Sequence, residues 1–222
     1  MKKTMKFMAI AAIMTTSTAF AQSAGTWMAR VGAMKITPDV SSGYLSAPDY
    51  MGGTKADVSS DTQLSGGITY MYTDHFSVDV PLALPFKHQI IGDGALKGAG
   101  AVAEVKALPV TLFFQYRFME ANAKFRPYVG LGATYAYFFD ETGSGKLTAT
   151  TNPGGTPTTL NVDSKWGVTA QLGATISLND KWFIDMHYTK SNLSTTTHFS
   201  TGQHLDIGLD PESFGVEVGY KF

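Results

Sequence analysis

Apolar residues recur at every second position through most of the chain. The clearest run is Pro127 to Phe139, where Val129, Leu131, Ala133, Tyr135, Tyr137 and Phe139 alternate with smaller residues such as Gly130, Gly132 and Thr134. Period-two alternation is the signature of a strand with two unlike faces. The same pattern appears in Trp27 to Ile36 (less tidily), Gln63 to Tyr72, Phe76 to Phe86, Leu108 to Phe118, Lys165 to Leu178, Trp182 to Thr189 and Ser213 to Phe222. These are eight predicted strands.

Connections between them alternate in length. Thr73-Asp74, Glu120 to Lys124 and Asn179-Asp180 are short. The segments 37–62, 87–101, 142–163 and 191–212 are long. An even number of strands with short turns at one end and long loops at the other is the layout of an outer-membrane barrel, its turns periplasmic and its loops extracellular. The loops are rich in Gly, Ser, Thr and Pro, as in Asn152 to Thr159, and are expected to be mobile.

The second face decides between a water-soluble and a membrane barrel. It carries isolated polar groups (Asp79, Gln115, Arg117, Lys165, Gln171, Asp185, His187, Glu217, Lys221) among Gly, Ser and Thr. A narrow lumen needs small side chains and paired charges, whereas a water-facing surface would carry Lys and Glu in number. The apolar face bears aromatics near strand ends (Tyr72, Phe76, Phe118, Trp166, Trp182, Tyr220, Phe222), as an interfacial girdle requires. A secreted lipocalin-like barrel is the alternative; only 16% charged residues argue against it. The fold class expected is therefore all-β, an eight-stranded antiparallel transmembrane β-barrel.

Composition narrows the rest. The chain has 222 residues and no cysteine, so neither disulfides nor thiolate metal sites contribute. With 17 Lys+Arg against 18 Asp+Glu, nothing favours nucleic acid as a partner. Residues 1–21 read as a secretory signal peptide: Lys2, Lys3 and Lys6, the apolar run Phe7 to Met14, then Ala19-Phe20-Ala21 before Gln22. That run is shorter than the roughly 20 apolar residues of a membrane helix. The barrel is expected to occupy 22–222, in the outer membrane of a Gram-negative cell.

Five segments, in order, carry a resemblance. "LPFKH" (84–88), "LPVTLFFQYRF" (108–118), "RPYVGLGATYAYFF" (126–139), "NDKWFIDMHY" (179–188) and the ending "GYKF" (219–222) resemble motifs of the outer membrane protein W family. Val110 stands where the family pattern has a second proline. The resemblance implies a barrel whose lumen is blocked towards the periplasm. Small hydrophobic molecules would enter from outside and leave sideways through the wall, down their gradient. It also implies outer-membrane lipid and lipopolysaccharide as surroundings, and recognition of the C-terminal Phe222 by the barrel assembly machinery.

Physics points to where the wall is weak. Proline lacks the N–H of a ladder bond, and Pro81, Pro85 and Pro109 fall in consecutive strands that should pair, so they are the expected lateral gate. Asp79, Gln115, Arg117, Gln171, Asp185 and His187 are the expected lumen residues, able to form a hydrogen-bonded plug. The alternative function is a structural or surface-interaction barrel, its loops binding phage or bacteriocin over an inert lumen. Asp185 and His187 lie two apart on one face, but no serine is placed beside them, so no enzyme activity is expected. His198 and His204 share a loop without a carboxylate-rich metal cluster, and the Gly92/Gly94 and Gly98/Gly100 pairs follow no strand–helix pattern; no metal and no cofactor are expected.

Overall fold

The computed structural model describes residues 22–222; the expected signal peptide lies outside them. In chain order the described residues form β1 (Trp27–Thr37), β2 (Ser41–Ser42), β3 (Thr54–Val58), β4 (Asp61–Met71), β5 (Phe76–Ala83), β6 (Phe86–Gly94), β7 (Ala101–Arg117) and β8 (Phe125–Gly143). A short helix α1 (Gly145–Thr151) follows. Then come β9 (Leu160–Val162), β10 (Lys165–Ser177), β11 (Trp182–Asn192), β12 (Ser194–Phe199), β13 (His204–Gly208) and β14 (Glu212–Lys221).

Eight staves close into an antiparallel barrel: β1, β4, β5 with its continuation β6, β7, β8, β10, β11 and β14. Pairing of β1 with β14, from Met28↔Lys221 to Thr37↔Glu212, and of β7 with β8 closes the sheet on itself. Outward-pointing Val31, Leu64, Leu112, Leu131, Val168, Leu172 and Val218 are exposed apolar residues, a band that suits lipid. Trp27, Tyr72, Phe76, Phe118, Trp182 and Phe222 ring the periplasmic end, and Tyr137, Trp166 and Tyr188 the other. Several pack in pairs, such as Trp182 edge-to-face with Tyr220 at 5.1 Å.

Inside, large lumenal side chains lie over glycines directly opposite in the neighbouring strand. Phe183 faces Gly219, His187 faces Gly215, Tyr128 faces Gly173 and Phe113 faces Gly132. A Cβ at Gly219 would stand 2.1 Å from the Phe183 ring, and one at Gly173 2.3 Å from that of Tyr128. The small residues of the quoted pattern make room for these side chains.

Two expectations need correction. The long connections carry regular structure of their own, although Asn152 to Thr159 stays irregular. β2, β13, β12 and β9 form a second, four-stranded sheet, and β3, β6 and the outer ends of β7 and β8 extend the barrel upward with α1 packed against them. Here the polarity inverts: Leu45, Ile90, Val102, Val105, Leu147, Leu160, Leu205 and Ile207 form a buried apolar cluster. Above the bilayer the outer surface meets water, so the apolar face turns inward as in a soluble sandwich. Second, Phe86 does not continue the outward face of Phe76 to Leu84. It is fully buried, because the chain breaks at Leu84-Pro85 and β6 restarts with opposite parity.

Candidate functional site

The lumen holds two layers of opposite character. The lower is a polar plug. Arg30, on β1, donates from its two Nη atoms to both oxygens of Asp79 (2.6 and 2.9 Å) and from Nε to Glu217. Thr69 Oγ1 donates to Asp79 at 2.5 Å and Ser65 Oγ to Glu217 at 2.6 Å. Beside this group, Arg117 donates to Thr175 Oγ1 (2.9 Å), to Gln115 Oε1 (3.0 Å) and to the Gln22 side-chain oxygen (3.1 Å), and its guanidinium lies 4.5 Å over the Tyr128 ring. Gln115 Nε2 donates to Gln171 at 2.7 Å. Tyr128 Oη and Thr175 Oγ1 donate to the two oxygens of Asp185 (2.8 and 2.9 Å), while His187 Nδ1 stands 3.4 Å from it.

All six lumen residues read from the sequence therefore point inward and are buried. Arg30 was not among them, although it holds Asp79 and Glu217 together. Below, Arg126 donates to the carbonyls of Gln22 (2.7 Å), Asp74 (2.5 Å) and Phe118 (3.2 Å), tying two periplasmic turns to the N-terminal segment. Such saturation is what burial of charge demands, since an unpaired ion in the interior costs several kcal/mol or more. Asp185, His187 and Glu217 bring ligand atoms within 4.8 Å of one another. The Arg30 guanidinium already sits on Glu217 and supplies the positive charge a metal would bring.

Above the plug lie two adjoining cavities. The outer is apolar, enclosed by Ile90, Val105, Phe138, Val162, Ile207 and Leu209 among others, with about 670 Å³ of empty space counting its mouth. The inner, of about 650 Å³ on the same measure, rests on the plug residues Gln171 and His187 and runs sideways to Pro81, Leu82 and Ala83. Ile36, Pro109, Ala136, Leu193 and Pro211 line both and form the throat between them. Leu82 is 54% exposed on the outer face, so the inner cavity reaches the barrel wall.

At that place the wall is incomplete. β5 pairs with β7 only from Phe76↔Tyr116 to Asp79↔Phe113, and pairing resumes on β6 at Phe86↔Ala107. Val80 to Pro85 and Leu108 to Leu112 have no partners across this interval. Pro81 and Pro85 stand on one side and Pro109 on the other, none able to donate a backbone hydrogen bond. Pro81 and Pro109 remain paired on their other edges, to Gly67 and Ala136.

Comparison with known proteins agrees with this architecture. The OmpW family pattern matches residues 23–222. Outer membrane protein W of Vibrio cholerae is 36% identical over 228 residues, spanning all of both chains. The crystal structure of outer membrane protein OprG from Pseudomonas aeruginosa superposes with a TM-score of 0.82 at 31% identity, covering 92% of this chain and 99% of that one. A more distant relative, the dibenzothiophene metabolism operon protein PahQ of Pseudomonas aeruginosa, is 24% identical over 200 residues, 88% of each chain. With barrel, lipid-facing belt and full-length likeness in agreement, this chain belongs to the OmpW family of outer-membrane β-barrel proteins.

Proposed function

We propose that the protein is a passive channel for small hydrophobic molecules, which enter the apolar vestibule from outside and leave sideways into the bilayer between β5 and β7. The observation that carries this reading is the pairing gap at Pro81, Pro85 and Pro109, opening onto a cavity whose throat joins the apolar vestibule. The driving force at each stage is transfer of apolar surface out of water, about 25 cal/mol per Å². The polar plug closes the downward path, because an apolar solute entering it would strip Arg30, Asp79 and Glu217 of partners without replacing them. The route involves no bond-making step and no energy source. A relative named for a dibenzothiophene metabolism operon agrees with a flat, apolar cargo.

The test is uptake of an apolar fluorophore by cells lacking the protein and complemented with wild type or with Ala136→Trp. Ala136 is buried in the throat, and an indole there fills it. Wild type should restore uptake, and the folded variant should fail to. Equal uptake by both would refute it.

A second reading, surface recognition over an inert lumen, is favoured by exposed Tyr44, Tyr50 and Met51 in the first extracellular segment. Deleting residues 49–53 would then abolish binding of the recognised particle and leave fluorophore uptake unchanged.

A further inference from the structure

The outer face of the extracellular sheet carries a side-chain cluster that the channel does not use. His198 on β12 and His204 on β13 are direct cross-strand partners. His204 exchanges its backbone N–H and C=O with Ser46 (2.8 Å to Oγ, 2.9 Å from the amide), on the side away from β12. The two histidines therefore form a non-hydrogen-bonded pair, the kind in which opposed Cα atoms approach to about 4.5 Å and side chains are closest. Both residues are exposed and on the same face, their ring centroids 6.5 Å apart. The same face brings Asp163, whose Oδ1 lies 3.7 Å from His198 Nε2. The Lys165 ammonium stands 3.0 Å from its other oxygen and leaves Oδ1 facing His198.

We propose that His198 and His204 form a bis-imidazole site for a borderline divalent transition metal, zinc above all, with Asp163 as a carboxylate ligand. Imidazole suits Zn²⁺, Cu²⁺ and Ni²⁺, whereas Mg²⁺ and Ca²⁺ demand oxygen donors. Two nitrogens on one tetrahedral Zn²⁺, each about 2.0–2.1 Å from the ion, stand roughly 3.3 Å apart. Rotation of two exposed rings on strands this close reaches that spacing. The lattice of the ladder fixes the backbones beforehand, so binding orders only the side chains. Water completes the coordination on the open side.

The site has a structural consequence. The inner face of the same hairpin presents Thr195, Thr197 and Ile207 to the vestibule. An ion on the outer face clasps β12 to β13, and through Asp163 to the end of β9, so it stiffens the wall of the entrance.

The experiment is a Zn²⁺ titration by calorimetry of the full barrel in detergent micelles, free of lipopolysaccharide and of any affinity tag. Wild type is expected to bind one equivalent. His198→Gln and His204→Gln should each weaken binding at least about tenfold, the scale on which losing a supporting group already acts. His75→Gln, far away at a periplasmic turn, should bind as wild type does. All positions replaced in the site are exposed, and heat-modifiable migration on gels verifies the fold. In parallel, Ni²⁺ added to the labelled protein should broaden amide signals of β9, β12 and β13 first. Binding unchanged by both histidine substitutions, absence of binding, or broadening centred in the lumen near His187 would each overturn the proposal.

Discussion

Replacing Arg30 with methionine should cost more stability than any other single change in the lumen. Arg30 is buried on β1 and is the cation that Asp79 and Glu217 share, with three of its nitrogens committed to them. Methionine matches much of its length and none of its charge. The variant leaves two carboxylates at 0% and 2% exposure without a counter-ion. Removing one partner of a buried pair costs about 3–5 kcal/mol. Thr69 and Ser65 still donate to the two carboxylates, so the loss should fall within that range rather than double it. Urea unfolding in lipid vesicles, followed by tryptophan fluorescence, reads the change; Trp27 on the same strand is a local reporter. The triple variant Arg30→Met/Asp79→Asn/Glu217→Gln removes the stranded charge as well and should recover most of the loss. A loss below about 1 kcal/mol, or a triple variant no better than the single one, would refute the view that charge pairing holds the plug.

Other outcomes follow from the same geometry. Gly219→Ala forces a methyl against Phe183 and should destabilise the barrel by about 1–3 kcal/mol in the same assay, whereas Gly145→Ala, with nothing within 4 Å of the new carbon, should be neutral or slightly stabilising. His88 lies above the bilayer, its Nδ1 2.7 Å from the Ser59 carbonyl, and burial pushes its imidazole below the ordinary value. A depressed value means the folded chain binds fewer protons there than the unfolded one, so stability is lost as pH falls below about 6.5. Amide exchange in β6 should therefore quicken between pH 7 and pH 5.5 in wild type and less so in His88→Gln; equal pH responses would contradict this.

The eight staves were legible because lipid outside and a packed lumen inside impose a strict period of two over 10 or so residues. Asp79, Gln115, Arg117, Gln171, Asp185 and His187 could be assigned inward on that parity alone. Arg30 escaped because β1 alternates poorly: Met28 and Met34 point inward with it, while Ala29 and Ala33 share the lipid side with Val31. The extracellular sheet escaped for a different reason. Its strands run two to six residues, and Ser-Thr-Thr-Thr-His-Phe in β12 reads as a polar loop although Thr195 and Thr197 turn inward. Pairing to β9 and β13, remote in sequence, makes those residues a strand. Phe86 was misplaced because a parity switch at Leu84-Pro85 leaves no trace in the alternation on either side. The three prolines, by contrast, marked the wall gap from sequence, since a missing N–H has the same consequence in any register.

The proposed exit is the gap between β5 and β7. Continuing the register past Asp79↔Phe113 sets Leu82 opposite Val110, both on the lipid face. The chain has no cysteine, so Leu82→Cys/Val110→Cys introduces one crosslinkable pair. Uptake of an apolar fluorophore should match wild type when the pair is reduced and fall to the level of cells without the protein once mass spectrometry shows the bridge closed. Undiminished uptake through the bridged barrel would rule out exit between β5 and β7.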